Sequence, residues 1–149
     1  MVRIINVSAI AAFLVNFDQH EMTVIEVDGV YTKTQKTNLI SLSAGQRMSV
    51  LIHAKPNANQ NFAFVGAMDP SMFDSLPAGL DLNATGYLVY DDSKPLPLEA
   101  PTFNSYDGAV DDFGLVPYDG LALLEPVSHQ ILFDVNPGVQ FNQNRYVDK

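Results

Sequence analysis

The chain has 149 residues, 47 % of them hydrophobic and 17 % charged, with no cysteine and a formal net charge of −9. That apolar content excludes a disordered segment, and the length suffices for one core burying roughly 70 % of the surface an unfolded chain exposes. The missing cysteines exclude a disulfide framework, a thiolate metal site, a cysteine nucleophile and a blue-copper centre within the chain. Residues 1–60 carry a balance of +1 and residues 61–149 one of −10. Such a surface is repelled by nucleic acid phosphate and suits cationic partners, metal ions included. No run approaches the ~20 continuous apolar residues that a bilayer-spanning helix needs.

Short β-type runs follow one another along the chain. Residues 3–7 and 13–17 read as strands, and the β-branched run 22–27 is ended by Asp28-Gly29, a strong two-residue turn signal. Residues 38–42 alternate apolar and polar, as a half-buried strand does. Ala44-Gly45-Gln46 bends the chain into a strand over 47–53. Further strands are expected at 62–65, 87–90 and 129–135. About eight short strands separated by turn residues, with no helical period longer than two turns, predict an antiparallel β-sandwich or barrel.

Two stretches interrupt the strands. From Asp69 to Pro77 the sequence predicts one or two helical turns, with Asp69 as N-cap, Pro70 at the first helical position and Pro77 as the stop. Residues 94–101 hold Pro95, Pro97 and Pro101, which bars them from a central strand and predicts an extended surface connector. Residues 106–124 are acidic and aromatic, a region of loops or one short helix. The opening residues read as a strand rather than a signal peptide, and the other end stops in polar sequence, so residues 1–149 are expected to be one domain from a longer protein.

The order Arg3-Ile4-Ile5-Asn6-Val7, then His20-Glu21-Met22-Thr23-Val24-Ile25-Glu26-Val27-Asp28-Gly29-Val30, then Ala44-Gly45-Gln46-Arg47-Met48-Ser49-Val50-Leu51 resembles the middle domain of the multicopper oxidases. The resemblance runs on through Asn61-Phe62-Ala63-Phe64-Val65 and Asn83-Ala84-Thr85-Gly86-Tyr87-Leu88-Val89-Tyr90, and covers nearly the whole chain. Met68-Asp69-Pro70-Ser71-Met72-Phe73-Asp74 and Asp111-Asp112-Phe113-Gly114-Leu115-Val116-Pro117-Tyr118 are more similar to fungal iron-transport oxidases than to laccases. The resemblance implies an all-β, cupredoxin-like Greek-key sandwich. It also implies a three-domain parent at the cell surface or outside the cell, anchored to the membrane beyond this sequence. Such a parent oxidises Fe²⁺ to Fe³⁺ with O₂, beside an iron permease, using coppers held by its first and third domains.

The residues agree that copper belongs elsewhere. Such centres need paired His-x-His segments and a His-Cys-His link, whereas this chain has His20, His53 and His129, widely spaced, and no cysteine. Alone, the chain is expected to be inactive. What it can supply is hard oxygen ligands: carboxylates bind Fe³⁺ more tightly than Fe²⁺ and so favour loss of the electron. The resemblance implies one such acid in the loop matching residues 68–76, with its partners outside this chain. Asp69 already has a task as N-cap. Asp74, expected at the fifth helical position, has no capping role and is a poor helix former, so Asp74 ranks first and Asp69 second as iron-binding or iron-path residues.

The remaining motifs read as structure. Asp107, Asp111, Asp112 and Asp119 invite comparison with an electrostatic funnel, but acidic loops commonly serve solubility. Isolated histidines usually make structural hydrogen bonds, and Arg47 is expected to pair with a carboxylate or cap carbonyls. Of two N-glycosylation sequons, Asn83-Ala84-Thr85 lies in a polar turn suited to a glycan, whereas Asn6-Val7-Ser8 lies beside a core strand. Two other readings compete with a ferroxidase domain: a laccase-like phenol oxidase domain, and a non-enzymatic cupredoxin-like binding module. Stripped of its neighbouring domains, the chain is expected to expose strand edges and apolar surface and to form oligomers.

Overall fold

Alternating apolar residues in short runs, cut by glycine, proline and aspartate, build two stacked antiparallel sheets. A computed structural model describes residues 1–121 and 127–132. The strands are β1 (Val2–Ile5), β2 (Phe13–Phe17), β3 (Met22–Val27), β4 (Val30–Thr37), β5 (Ile40–Leu42), β6 (Arg47–Ile52), β7 (Phe62–Met68) and β8 (Asn83–Leu88). One sheet has the order β1-β6-β3-β4 and the other β5-β2-β7-β8. The chain crosses repeatedly between them in Greek-key fashion, so that neighbours within a sheet are mostly distant in sequence.

The core lies between the sheets. Met22, Val24, Met48 and Val50 from the first face Val15, Phe17, Ile40 and Leu42 from the second, and Val110 joins the same cluster. Met22, Val24, Val50 and Ile40 are wholly buried. Strand β2 is apolar at every position but Asn16, and Leu14 to Phe17 are all buried, because it is covered on both faces. Its Leu14 packs with Leu39 and Ala67 in a second, smaller cluster, against which Phe103 and Ala109 lie. The segment around residues 101–110 therefore clads the outer face of the second sheet.

The turn at Asp28-Gly29 forms as expected: both residues have positive φ, +50° and +89°, and Val27 pairs with Val30 across it. That hairpin produces β4, which the sequence did not announce. Its Tyr31, Lys33, Thr34, Gln35 and Lys36 are all exposed, so an edge strand with little to bury carries no apolar alternation. Strand β8 begins four residues before the expected 87–90 run and ends at Leu88. The expected strand over 129–135 is absent in residues 129–132, which are not strand; the rest of it lies outside the described residues.

Gly86 sits directly opposite Phe64 on β7. The Phe64 ring, stacked on Phe17 with centroids 5.2 Å apart, covers it so closely that a Cβ there would stand 2.2 Å from the ring.

Candidate functional site

The acid-bearing loop leaves the end of β7. The Met68 amide donates to the Leu82 carbonyl (2.7 Å) and the Asp69 amide to the Ala12 carbonyl (2.9 Å), which fixes the loop's first residues against both neighbours of β7. Asp69 is the N-cap and Pro70 begins a helical turn, as the sequence predicts. The helix is shorter than expected, a single 3₁₀ turn over Pro70–Met72 closed by Phe73 N–H donating to the Pro70 carbonyl at 3.2 Å. Phe73 is already extended, with φ −118° and ψ 132°, and Pro77 disfavours helical geometry in the residue before it. Asp74 is thus not a fifth helical residue; it lies in a bend past the turn.

Both oxygens of Asp69 are engaged. Oδ1 accepts the Ser71 amide at 2.8 Å, and Oδ2 accepts the hydroxyl of Tyr106. The Tyr106 hydroxyl, and then the Ser71 amide, hold the Asp69 carboxyl below the usual aspartate range. In return, partial burial and the adjacent Asp69 carboxylate push the Tyr106 phenol up to about 12. Near neutral pH the pair is therefore a phenol donating to a carboxylate. Tyr106 belongs to a segment that is itself anchored, with Ala109 N–H on the Tyr106 carbonyl (2.9 Å) and Val110 N–H on the Leu39 carbonyl (3.0 Å).

Asp74 has no such partners. It is exposed, and among the described residues no hydrogen bond or ion pair engages its carboxylate. Residues 68–76 thus carry one acid bound into the fold and one left to solvent. Tyr106 gave no signal in the sequence, because its bond to Asp69 spans 37 residues.

The four acids of the 107–119 stretch are each engaged by the fold. Asp111 caps a 3₁₀ turn at Asp112–Gly114 through the Phe113 amide, 3.1 Å, Asp112 accepts from Gln46 at 2.8 Å, and Asp107 accepts from Ser105 at 3.0 Å. Asp119 accepts the Leu121 amide at 3.1 Å. Arg47 does both things expected of it, pairing with Asp28 at 3.2 Å and donating to the Gly45 carbonyl at 3.3 Å.

The donor set does not fit a copper centre. His20 is buried; its Nδ1 donates to the Asp18 carbonyl (2.6 Å), and its Nε2 is paired with the Tyr90 hydroxyl at 2.8 Å. Tyr90 Oη in turn accepts the Lys55 amide at 3.0 Å. Both ring nitrogens are thus already engaged within the fold. His53 and His129 are exposed, and among the described residues no three His, Asp or Glu side chains converge on one point. An apolar cleft of about 360 Å³ opens beside the free edge of β1, lined by Ile4, Val7, Phe13, Val15 and Leu42 among others. It holds no ionisable side chain and plays no part in the acid loop.

Two stacked Greek-key sheets of this order form a cupredoxin-like domain. The sequence profile described as Multicopper oxidase matches residues 1–93, and the chain belongs to that family. The iron transport multicopper oxidase FET3 of Candida glabrata is 43 % identical over 135 residues, which cover 91 % of this chain and 21 % of the relative. The protein of the same name from Saccharomyces cerevisiae is 37 % identical over 135 residues, again 91 % of this chain and 21 % of the relative. In structure, the chain resembles Fet3p, a multicopper oxidase that functions in iron import, with a TM-score of 0.79 and 37 % identity over 85 % of this chain and 24 % of that one. The laccase of Botrytis aclada matches with a TM-score of 0.63 and 30 % identity, over 78 % of this chain and 21 % of the laccase. The chain spans about a fifth of the length of the FET3 relatives.

Proposed function

We propose that residues 1–149 are the copper-free middle domain of a longer ferroxidase that oxidises Fe²⁺ to Fe³⁺ with reduction of O₂ to water, and that Asp74 meets the iron. The carrying observation is the division of labour in the loop: Asp69 is engaged by the fold through both oxygens, while Asp74 is an exposed carboxylate with no structural partner among the described residues. The names of the 37–43 % identical relatives support iron as substrate. A hard carboxylate ligand holds Fe³⁺ better than Fe²⁺, lowers the reduction potential of the bound ion and so favours loss of its electron. The copper that accepts this electron lies outside this chain, as do the remaining iron ligands. Asp69 ranks second on the same path, since each of its oxygens accepts a single hydrogen bond and keeps further acceptor capacity.

An extracellular or cell-surface setting fits this reading. Asn83, with exposed Thr85 in its sequon, is the glycan acceptor, the parent's neighbouring domains are this chain's structural partners, and an iron permease takes the Fe³⁺. β1 lies at the edge of its sheet, with its Ile5 58 % exposed and Val7, just past the strand, 90 % exposed, which supports self-association of the isolated chain.

The test is Asp74→Ala in the full-length protein. Fe²⁺ oxidation weakens while oxidation of bulky organic donors is spared. Equal loss on both donors refutes a role in iron binding. Brisk turnover of phenols with none of Fe²⁺ by the unaltered protein assigns it to the laccase-like oxidases instead.

A further inference from the structure

We propose that Tyr106 is a positioning residue for iron: its hydroxyl clamps Asp69 from outside the loop and thereby sets where Asp74 is presented. This rests on the reading of the loop as the iron path and extends it to a residue remote in sequence.

The argument follows the loop's attachments. Its start is held by the Met68 and Asp69 amides, and the 3₁₀ turn by the Asp69 cap and the Phe73 amide. After Phe73 the next backbone bond within the loop is Leu80 N–H to the Pro77 carbonyl, 3.2 Å. Asp74 therefore hangs one residue beyond the last fixed point, and its placement inherits whatever orientation Asp69 gives the turn. A cap with only the Ser71 bond can rotate about the Asp69 side-chain torsions. The second bond, from Tyr106 to the other oxygen, removes that freedom.

Tyr106 can act as a clamp because its own segment is anchored in packing. Phe103 and Ala109 lie on the Leu14–Leu39–Ala67 cluster, and Val110 is tied to Leu39. The Tyr106 side chain thus links the clad outer face of the second sheet to a loop that otherwise buries little. Its hydroxyl contacts neither Asp74 nor, on this reading, the metal.

The experiment is Tyr106→Phe in the full-length oxidase, which keeps the ring and removes the clamp. Steady-state kinetics on Fe²⁺ and on a bulky phenol are measured together with thermal melting, with Asp74→Asn in parallel. The expected result is a KM for Fe²⁺ raised roughly three- to tenfold, with kcat and phenol kinetics little changed. A merely structural tyrosine would lower the melting temperature without that split between donors. An unchanged KM for Fe²⁺, or matched losses on both donors, overturns the clamp. If Tyr106→Phe is silent while Asp74→Asn raises the KM, the clamp alone is wrong. If neither variant moves it, the iron reading of the loop falls as well.

Discussion

Tyr106 and Asp69, 37 residues apart in sequence, meet in a hydrogen bond that leaves the neighbouring Asp74 as the loop's uncommitted acid. An N-cap oxygen already serving the Ser71 amide is expected to be stabilising whatever the domain binds. Asp69→Ala removes that cap and strands the Tyr106 hydroxyl, at a cost of about 1–2 kcal/mol, the exposed setting of the phenol keeping its share small. Asp74→Ala changes stability by less than about 0.5 kcal/mol. Urea denaturation of the two variants separates the acids; equal destabilisation would mean that Asp74 also holds the fold.

A second carboxylate is tied into the outer face of the first sheet. Glu26 accepts the Ser49 hydroxyl and, at 2.7 Å, the Gly29 amide. The Ser49 bond is the main cause of a carboxyl held below its usual value, with Arg3 and Arg47 adding to it. A depressed folded-state value means a contribution present at pH above the ordinary glutamate value of about 4.3 and lost as the pH falls through the lower folded value. Ser49→Ala is therefore expected to cost about 1 kcal/mol at pH 7. The gap from the parent chain narrows as the pH drops below the ordinary glutamate range. Melting temperatures across pH 3–7 check this, and a pH-independent gap would refute it.

The sheets were legible because their information is local: period-two burial, Asp28-Gly29, and the Gly45 bend. Strand β4 was not, since apart from buried Thr32 and half-buried Thr37 its residues are exposed, and it exists by pairing with β3 rather than by apolar burial. The acid loop was half legible. Asp69-Pro70 states its own capping geometry in adjacent residues, whereas the helix length depends on where the chain must turn toward β8. Tyr106, Tyr90 and Asn61 were invisible for a different reason. Asn61 is buried and receives the Tyr90 and Asp91 amides while donating to the Asp91 and Lys94 carbonyls. These partners are about thirty or more residues away, and no spacing rule links a polar side chain to a partner chosen by sheet order.

The contact between Gly86 and Phe64 makes a sharper test of packing. The missing Cβ leaves room for the tip of the Phe64 ring at Gly86, and Gly86→Ala would put a carbon 2.2 Å from the ring's Cζ. The ring cannot yield freely because it stacks on Phe17. A loss of about 1–3 kcal/mol is expected. Combining Gly86→Ala with Phe64→Leu should cost less than the sum of the single changes, by about 0.5–3 kcal/mol, since the second relieves the clash created by the first. Strict additivity would show that the ring had moved aside in the single variant.

The two sequons differ in whether their amide nitrogen is available. Asn6 is 6 % exposed; its Nδ2 donates to the carbonyls of Ala11 (2.8 Å) and Leu42 (3.0 Å), and its Oδ1 accepts the Ser8 amide at 3.0 Å. A glycan replaces one of those two donated hydrogens, so once the strand has folded Asn6 cannot carry one without losing a buried bond. Asn83 opens β8 opposite Ala67 with its backbone amide on Asp81 Oδ1 at 2.9 Å; among the described residues no hydrogen bond engages its side-chain amide, and β8 is an edge strand. Secretion of the full-length protein from a glycosylating host should give a glycopeptide at Asn83 and an unmodified peptide at Asn6. Asn6→Gln should lower the melting temperature without changing the glycan mass, while Asn83→Gln should do the reverse. A glycan found on Asn6 would mean that the sequon is modified before β1 and β5 assemble, and that the folded domain tolerates the loss of the bond to Leu42.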